Sequence, residues 1–351
     1  MNRRQALQLV AAFPAAAWGT SVAAATPPRT PMGLVIHSFV TRGARPLPPE
    51  YPALNDPIAF AEAASAFGAA GVQIRIGIRD DEYLARLRSI AEQNEIYLEG
   101  IVALPKDESD LSRFNEELRI SKAAGARVLR TACMSGRRYE VFEKAEQFRQ
   151  FVGQATRMLT LAEPIARKHA IQLAIENHKD WRVEELLACL KRISSEHVGI
   201  CLDTGNSIAL LEDPHQVVEA YAPWTMTTHM KDMGVADYDE GFLLSEVPLG
   251  EGFLDIPRMV ATIRKAKPNV RLNLEMLTRD PLKVPCLTQK YWATFEPLPA
   301  RDLANIMAIV KRQKTTNGLP MISPLDHREQ LKVEADNIVK SFAYARDKLA
   351  S

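Results

Sequence analysis

The chain has 351 residues, with 44 Lys+Arg against 43 Asp+Glu and a net charge of +1. That balance provides no basic footprint for nucleic acid and no acidic tail. Hydrophobic residues at 46% and charged residues at 25% are globular values that exclude a disordered or coiled-coil chain. Four cysteines without a CxxC pair exclude a zinc finger and a thioredoxin-type motif.

Met1–Ala25 reads as an export signal. Arg3 and Arg4 precede an apolar stretch through Leu9, Val10, Phe13 and Trp18, and Ala23-Ala24-Ala25 supplies a small-x-small cleavage site. The adjacent arginines before Gln5-Ala6-Leu7 resemble the twin-arginine type of bacterial signal. Cleavage would start the mature chain near Thr26, take the net charge from +1 to −1, and place it in the periplasm. No later run reaches the length of a membrane span, so no stable membrane anchor is expected.

Eight short apolar, β-rich runs follow: Gly33–Val40, Val72–Ile78, Tyr97–Ala103, Arg127–Thr131, Ile171–Asn177, Val198–Asp203, Thr225–Lys231 and Val270–Met276. Helix signals lie between them. Asp56-Pro57 opens an Ala-rich stretch, Asp110 precedes Leu111–Ala124, and Asp213-Pro214 precedes His215–Tyr221. Eight βα units predict an α/β chain whose parallel sheet closes as a single (β/α)8 TIM barrel. A doubly wound open sheet is the rival, and no GxGxxG follows any strand to favour it. Residues 277–351 carry a Pro- and aromatic-rich loop through Pro281, Pro285, Tyr291, Trp292, Phe295 and Pro297. Helical patterns follow at Arg301–Arg312 and Leu331–Leu349. This tail reads as a lid-like loop and closing helices on one domain, with no new set of strands.

Four of the eight strands end in a potential metal ligand: Glu176, Asp203, His229 and Glu275. A (β/α)8 barrel places its reactive groups at the carboxyl ends of its strands. The first two gaps equal about one βα unit, which puts each ligand at the same level on successive strands. Strand alternation sets Glu176 on one face with Ala174 and His178, Asp203 with Cys201 and Gly199, His229 with Thr227 and Lys231, and Glu275 with Asn273 and Arg271. The greasy residues take the other face, so these four point toward the barrel axis. A single acid at a strand end commonly caps the next helix; four in matching positions read as a site. Three carboxylates and an imidazole suit Mn²⁺, Mg²⁺ or Co²⁺, and Zn²⁺ as well.

The set Ile-Glu-Asn-His, Leu-Asp-Thr-Gly-Asn, His-Met-Lys-Asp, Gly250-x-Gly252-x-x-Asp255 and Leu-Glu-Met resembles the xylose isomerase-like TIM barrel superfamily, over roughly Gly33 to Met276. That superfamily includes sugar and sugar-phosphate isomerases and epimerases, inosose dehydratases and endonuclease IV. The resemblance implies that Glu176, Asp203, His229 and Glu275 hold a divalent metal, Mn²⁺ first, and that Glu176 and Glu275 also serve as acid and base. Asn206 stands where ketose epimerases place a His, which weakens a ketose 3-epimerase assignment. His169, His197, His215 and His327 fall away from strand ends, unlike the many metal-binding histidines of endonuclease IV.

His178, Lys231 and His37 are substrate-binding candidates around this set, and Arg279 reads first as a surface pairing residue, with a hold on an anionic substrate as the alternative. The function expected is a divalent-metal-dependent sugar isomerase or epimerase that abstracts a proton next to a carbonyl. A lyase or dehydratase performing β-elimination on a keto-sugar or 3-keto-glycoside is the alternative, and a non-catalytic periplasmic carbohydrate-binding barrel is a second one. The expected partner is a small sugar or sugar derivative, with no nucleic acid and with a homo-oligomer left open.

Overall fold

The computed structural model describes residues 28–43, 46–315 and 318–349; the export signal expected at Met1–Ala25 lies outside the described residues. Ten strands follow one another as far as Leu274: β1 Met32–Val35, β2 Gly71–Ile74, β3 Tyr97–Ile101, β4 Val128–Thr131, β5 Gln172–Glu176, β6 Val198–Asp203, β7 Thr225–His229, β8 Asp232–Tyr238, β9 Gly241–Val247 and β10 Leu272–Leu274. Eight form one parallel sheet in the order β10-β1-β2-β3-β4-β5-β6-β7. A bridge between Met230 and Leu274 joins its two edges, with Met230 N donating to Asn273 O at 2.7 Å and Glu275 N to Met230 O at 3.2 Å. The result is the expected α/β TIM barrel.

The first strand stops at Val35 rather than Val40, and Ile36–Arg42 winds into 3₁₀ turns. Ser38 explains the change of direction. Its Oγ donates to Leu274 O at 3.2 Å and accepts from Met276 N at 3.1 Å, which draws the chain across the barrel mouth.

The outer layer holds α1 Pro57–Ala66, α2 Asp81–Gln93, α3 Leu111–Ala123, the single turn α4 Arg138–Val141, α5 Ala145–His169, α6 Val183–Ile193, α7 Pro214–Tyr221 and α8 Ile256–Ala266. Asp56 caps α1 through Ile58 N and Ala59 N, and Asp213 caps α7 through His215 N and Gln216 N. Each is followed by a proline at the first helical position, where no N–H is needed. Asp110 makes no side-chain cap; it holds Arg113 instead, at 2.7 Å.

A second sheet departs from the expectation. Strands β8 and β9 form an antiparallel hairpin, and β11 (Leu282–Val284) pairs with β9 to give the order β11-β9-β8. Gly241 permits this pairing, because a Cβ there would stand 2.1 Å from Val284 O. Beyond it lie α9 Gln289–Trp292, α10 Ala300–Gln313 and α11 His327–Lys348. The aromatics of the expected lid are packed rather than open. Tyr291 is fully buried, stacks on Phe295 at 5.1 Å and donates to Ala209 O at 2.8 Å. From α11 the buried Glu334 reaches back to Thr41 N at 2.9 Å and Arg42 Nε at 3.1 Å, fastening the tail to the first strand's turn. All four cysteines are free thiols. Among the described residues no helix is long and apolar enough to cross a membrane.

Candidate metal centre

Glu176, Asp203, His229 and Glu275 are all buried, and one ligand atom from each lies within 4.8 Å of the others. They do not share one level, as equal spacing suggests. Glu176 is in register with Cys201, one alternation below Asp203, while Asp203 is in register with His229. The Met230–Leu274 bridge in turn leaves Glu275 above His229. This stepping is the stagger that a closed barrel requires, and the side chains converge across it.

Each ligand is fixed by a neighbour. Asn177, on the opposite face of β5 from Glu176, clamps the backbone of Asp203: its Oδ1 accepts from Asp203 N at 2.7 Å and its Nδ2 donates to Asp203 O at 3.0 Å. Asp203 Oδ1 accepts from Gly205 N and Asn206 N, both at 2.8 Å. Asn206 Nδ2 donates to Glu176 Oε1 at 3.1 Å, and Arg130 Nε donates to Glu176 Oε2 at 2.7 Å. His37 Nδ1 reaches Glu275 Oε1 at 2.8 Å. The Lys231 ammonium lies 2.7 Å from Glu275 Oε2 and 2.9 Å from Asp203 Oδ2.

His229 is oriented from inside the barrel, which is polar. Its Nε2 meets Gln73 Oε1 at 2.7 Å, and Gln73 Nε2 donates to the fully buried Glu99 at 3.1 Å. Thr227 Oγ1 and Asn273 Nδ2 also donate to Glu99, at 2.7 and 3.1 Å. With the Gln73 amide donating to Glu99, its oxygen faces His229, so a proton sits on Nε2. Against burial, Cys201, Glu275 and Glu176 raise the imidazole's pKa well above its usual value, and Nδ1 would offer its lone pair only once a metal ion replaces the second proton. That Nδ1 makes no hydrogen bond and lies 3.3 Å from Glu275 and 3.5 Å from Glu176. Ligand-orienting partners of this kind typically matter 10–100-fold. Gln73→Leu is therefore expected to weaken Mn²⁺ binding by about tenfold or more, read by titration calorimetry.

Burial alone would raise both glutamates, but the surrounding cations prevail. Arg130, then His229, holds Glu176 well below the usual carboxylate range, and His229 with Lys231 does the same for Glu275. Asp203 moves the other way: its burial outweighs Lys231 and raises it. His229 Nδ1 has no hydrogen-bond partner, and Asp203 Oδ2 is met by the Lys231 ammonium at 2.9 Å. A buried polar atom without a partner is costly, and a divalent cation would satisfy Nδ1 while sharing the carboxylates with Lys231. Three carboxylates and one imidazole are the donor chemistry for such an ion, so the residues fit it.

Of the substrate-binding candidates, Lys231 and His37 touch the cluster directly. His178 is half-buried with an unpartnered Nδ1, and burial drives its pKa down to about 3. Arg279 is not a surface pair. It holds the buried Glu246 at 2.5 and 3.1 Å, and Glu246 lies 3.9 Å from Lys231. Arg130, Asn206, Gln73, Glu99 and Glu246 are additions to the site read from strand ends.

Asp232, three residues past His229, closes the loop beside the site. Its carboxylate accepts from Met233 N (2.8 Å), Gly250 N (2.9 Å), Gly252 N (3.0 Å) and Leu254 N (3.1 Å). A Cβ at Gly252 would stand 2.2 Å from Asp232 Oδ1, which is why the close approach requires glycine. A cavity of about 500 Å³ opens over the ends of β1 to β4, lined by His37 and Arg130 among others; these two touch Glu275 and Glu176 respectively.

A parallel (β/α)8 barrel with a candidate cation site at the carboxyl ends of its strands defines the class. The chain belongs to the xylose isomerase-like TIM barrel family, whose pattern matches residues 60–296. A curated relative, the 3-oxo-isoapionate decarboxylase of Pectobacterium atrosepticum, is 35% identical over 124 residues, which is 35% of this chain and 45% of that protein. The chain thus spans under half the length of the relative it matches. D-psicose 3-epimerase from Clostridium cellulolyticum H10, solved with D-tagatose, superposes with a TM-score of 0.58 at 11% identity, over 91% of this chain and 99% of that one. A xylose isomerase-like TIM barrel protein from Mycobacterium smegmatis, solved with magnesium, gives 0.54 at 15% identity over 79% and 98%. At such identities these two structures speak to the fold.

Proposed function

We propose that the chain is a divalent-metal-dependent isomerase or epimerase of a sugar or sugar derivative, with Mn²⁺ as the first choice of ion and Mg²⁺, Co²⁺ or Zn²⁺ as alternatives. One observation carries this reading: two buried glutamates border a single cation site while each remains anionic beside its own cationic partner. Glu176, Asp203, His229 and Glu275 would hold the ion, which supplies charge to polarise a substrate carbonyl. Glu275, with His37 on one oxygen, is the base for the proton on the adjacent carbon. Glu176, steadied by Arg130 and Asn206, is the second acid–base group: anionic at rest, it first takes a proton from solvent or a substrate hydroxyl and then delivers it to the carbon from another direction. Lys231 bears a positive charge toward any oxyanion that develops. A periplasmic location belongs to the same proposal and rests on the sequence of Met1–Ala25 alone.

A second reading is a lyase. The 35% identity to a decarboxylase favours loss of CO₂ from a 3-oxo sugar acid, which needs the same carbonyl polarisation but no base on carbon. The test is NMR in D₂O of the Mn²⁺-loaded protein with a panel of keto-sugars, 3-keto-glycosides and 3-oxo sugar acids. Deuterium beside the carbonyl with the formula conserved supports the isomerase or epimerase. Release of CO₂, or of a β-substituent, selects the lyase. No turnover across the panel would leave the non-catalytic barrel standing.

A further inference from the structure

We infer that the cavity beside the metal centre selects sugar derivatives that carry an anionic end group, through Arg75 and Arg79; this rests on the reading of that centre as the catalytic site. The cavity measures about 500 Å³, and its polar lining is His37, Asn55, Arg75, Arg79 and Arg130 among aliphatic residues. That volume suits a ligand of sugar size. The lining holds three guanidinium groups and no carboxylate. A neutral sugar presents hydroxyls that both donate and accept, and walls built for one offer acceptors as well as donors. Here Asn55 is the one side-chain amide, His37 is engaged with Glu275, and the rest is apolar or cationic.

The three arginines are not equivalent. Arg130 is committed to Glu176, so it braces the metal centre. Arg75 reaches Glu117 Oε1 only at 3.4 Å and is half exposed, while Glu117 Oε2 holds Arg113 at 3.0 Å. Arg79 lies 5.1 Å over the ring of Tyr83 and uses one N–H on Ile78 O at 3.1 Å. Tyr83 is itself fixed by Asp56 at 2.7 Å. Arg79 also faces the carboxylate of Asp56 and the Tyr83 hydroxyl, and its remaining N–H groups line the same cavity as Arg75. Guanidinium forks of this kind match carboxylate or phosphate oxygens two at a time. An anion bound there lies on the cavity side of His37 and Arg130, with the sugar carbons between it and the metal centre.

Calorimetry on the full chain loaded with Mn²⁺ tests this with non-reacting probes, so it does not depend on finding the substrate. Gluconate and glucitol 6-phosphate are each titrated against neutral glucitol. At least one anion should bind tenfold or more tightly than glucitol, and the tighter of the two identifies the group as carboxylate or phosphate. In Arg75→Gln/Arg79→Gln the preference should fall to within twofold, with Mn²⁺ affinity retained as the sign of an intact barrel. Equal binding of all three probes by the wild type overturns the inference. So does a preference that survives in the double variant, which would place the anion on the metal instead. Failure of the D₂O panel with success here would reject the proposed reaction and keep the ligand class.

Discussion

Glu275→Gln is expected to lower hydrogen exchange into a turned-over keto-sugar by about a thousandfold, the scale of losing a positioned general base. The amide keeps the size of the side chain but only one acceptor oxygen, so of His37 and Lys231, which sit on different oxygens of Glu275, one keeps its acceptor. The charge is lost, and Mn²⁺ affinity falls with it. Measuring exchange at saturating Mn²⁺, with bound metal counted by elemental analysis, separates the two effects. Full exchange by a metal-replete Glu275→Gln would end the assignment of this residue as the base.

Lys231→Met should have the opposite sign for metal binding. The ammonium lies within 2.9 Å of both Asp203 and Glu275 and is itself buried. Its neighbouring carboxylates raise its pKa against the effect of burial. Removing one partner of such a buried arrangement costs about 3–5 kcal/mol, so the metal-free variant should melt well below the wild type. A divalent ion then becomes the remaining neutraliser of the acids. Mn²⁺ affinity should rise at least tenfold, and the Mn²⁺-induced gain in Tm should be larger in the variant, as linkage requires. Turnover should still fall, because the charge facing the oxyanion is gone. Equal Tm gains in the two proteins would show that ammonium and ion do not share the same carboxylates.

The barrel and its four ligands are legible in the sequence because each ligand ends a compact apolar run. Alternation within that run fixes the direction of the side chain. What surrounds them is not legible in the same way. Arg130 sits mid-strand between Leu129 and Thr131, and only the register shows it beside Ala174, which in turn pairs with Gly199. From there its guanidinium reaches Glu176. Gln73 and Glu99 are likewise level partners across β2 and β3; alternation was readable there, but polar residues in mid-strand do not announce which buried group they serve. The expected common level of the ligands fails for a related reason. Counting residues between strands measures the length of a βα unit and carries no information on barrel stagger. The hairpin β8–β9 escapes because its turn, Asp239-Glu240 before Gly241, lacks the Asn-Gly or Asp-Gly signature of a two-residue connection.

The Asp232 carboxylate bears on how the family can vary. It gathers backbone N–H groups from both ends of the excursion between Met233 and Leu254, so the chain leaves the barrel and returns to it at one clasp. Whatever side chains the excursion carries at the exposed Asp239 and Glu240, its two roots stay together and His229, three residues upstream, stays in place. The side chains of Asp239 and Glu240 are the part that evolution or an engineer can redecorate, since the backbone there is held by Leu287 N donating to Glu240 O at 2.8 Å, while the clasp keeps the metal geometry constant.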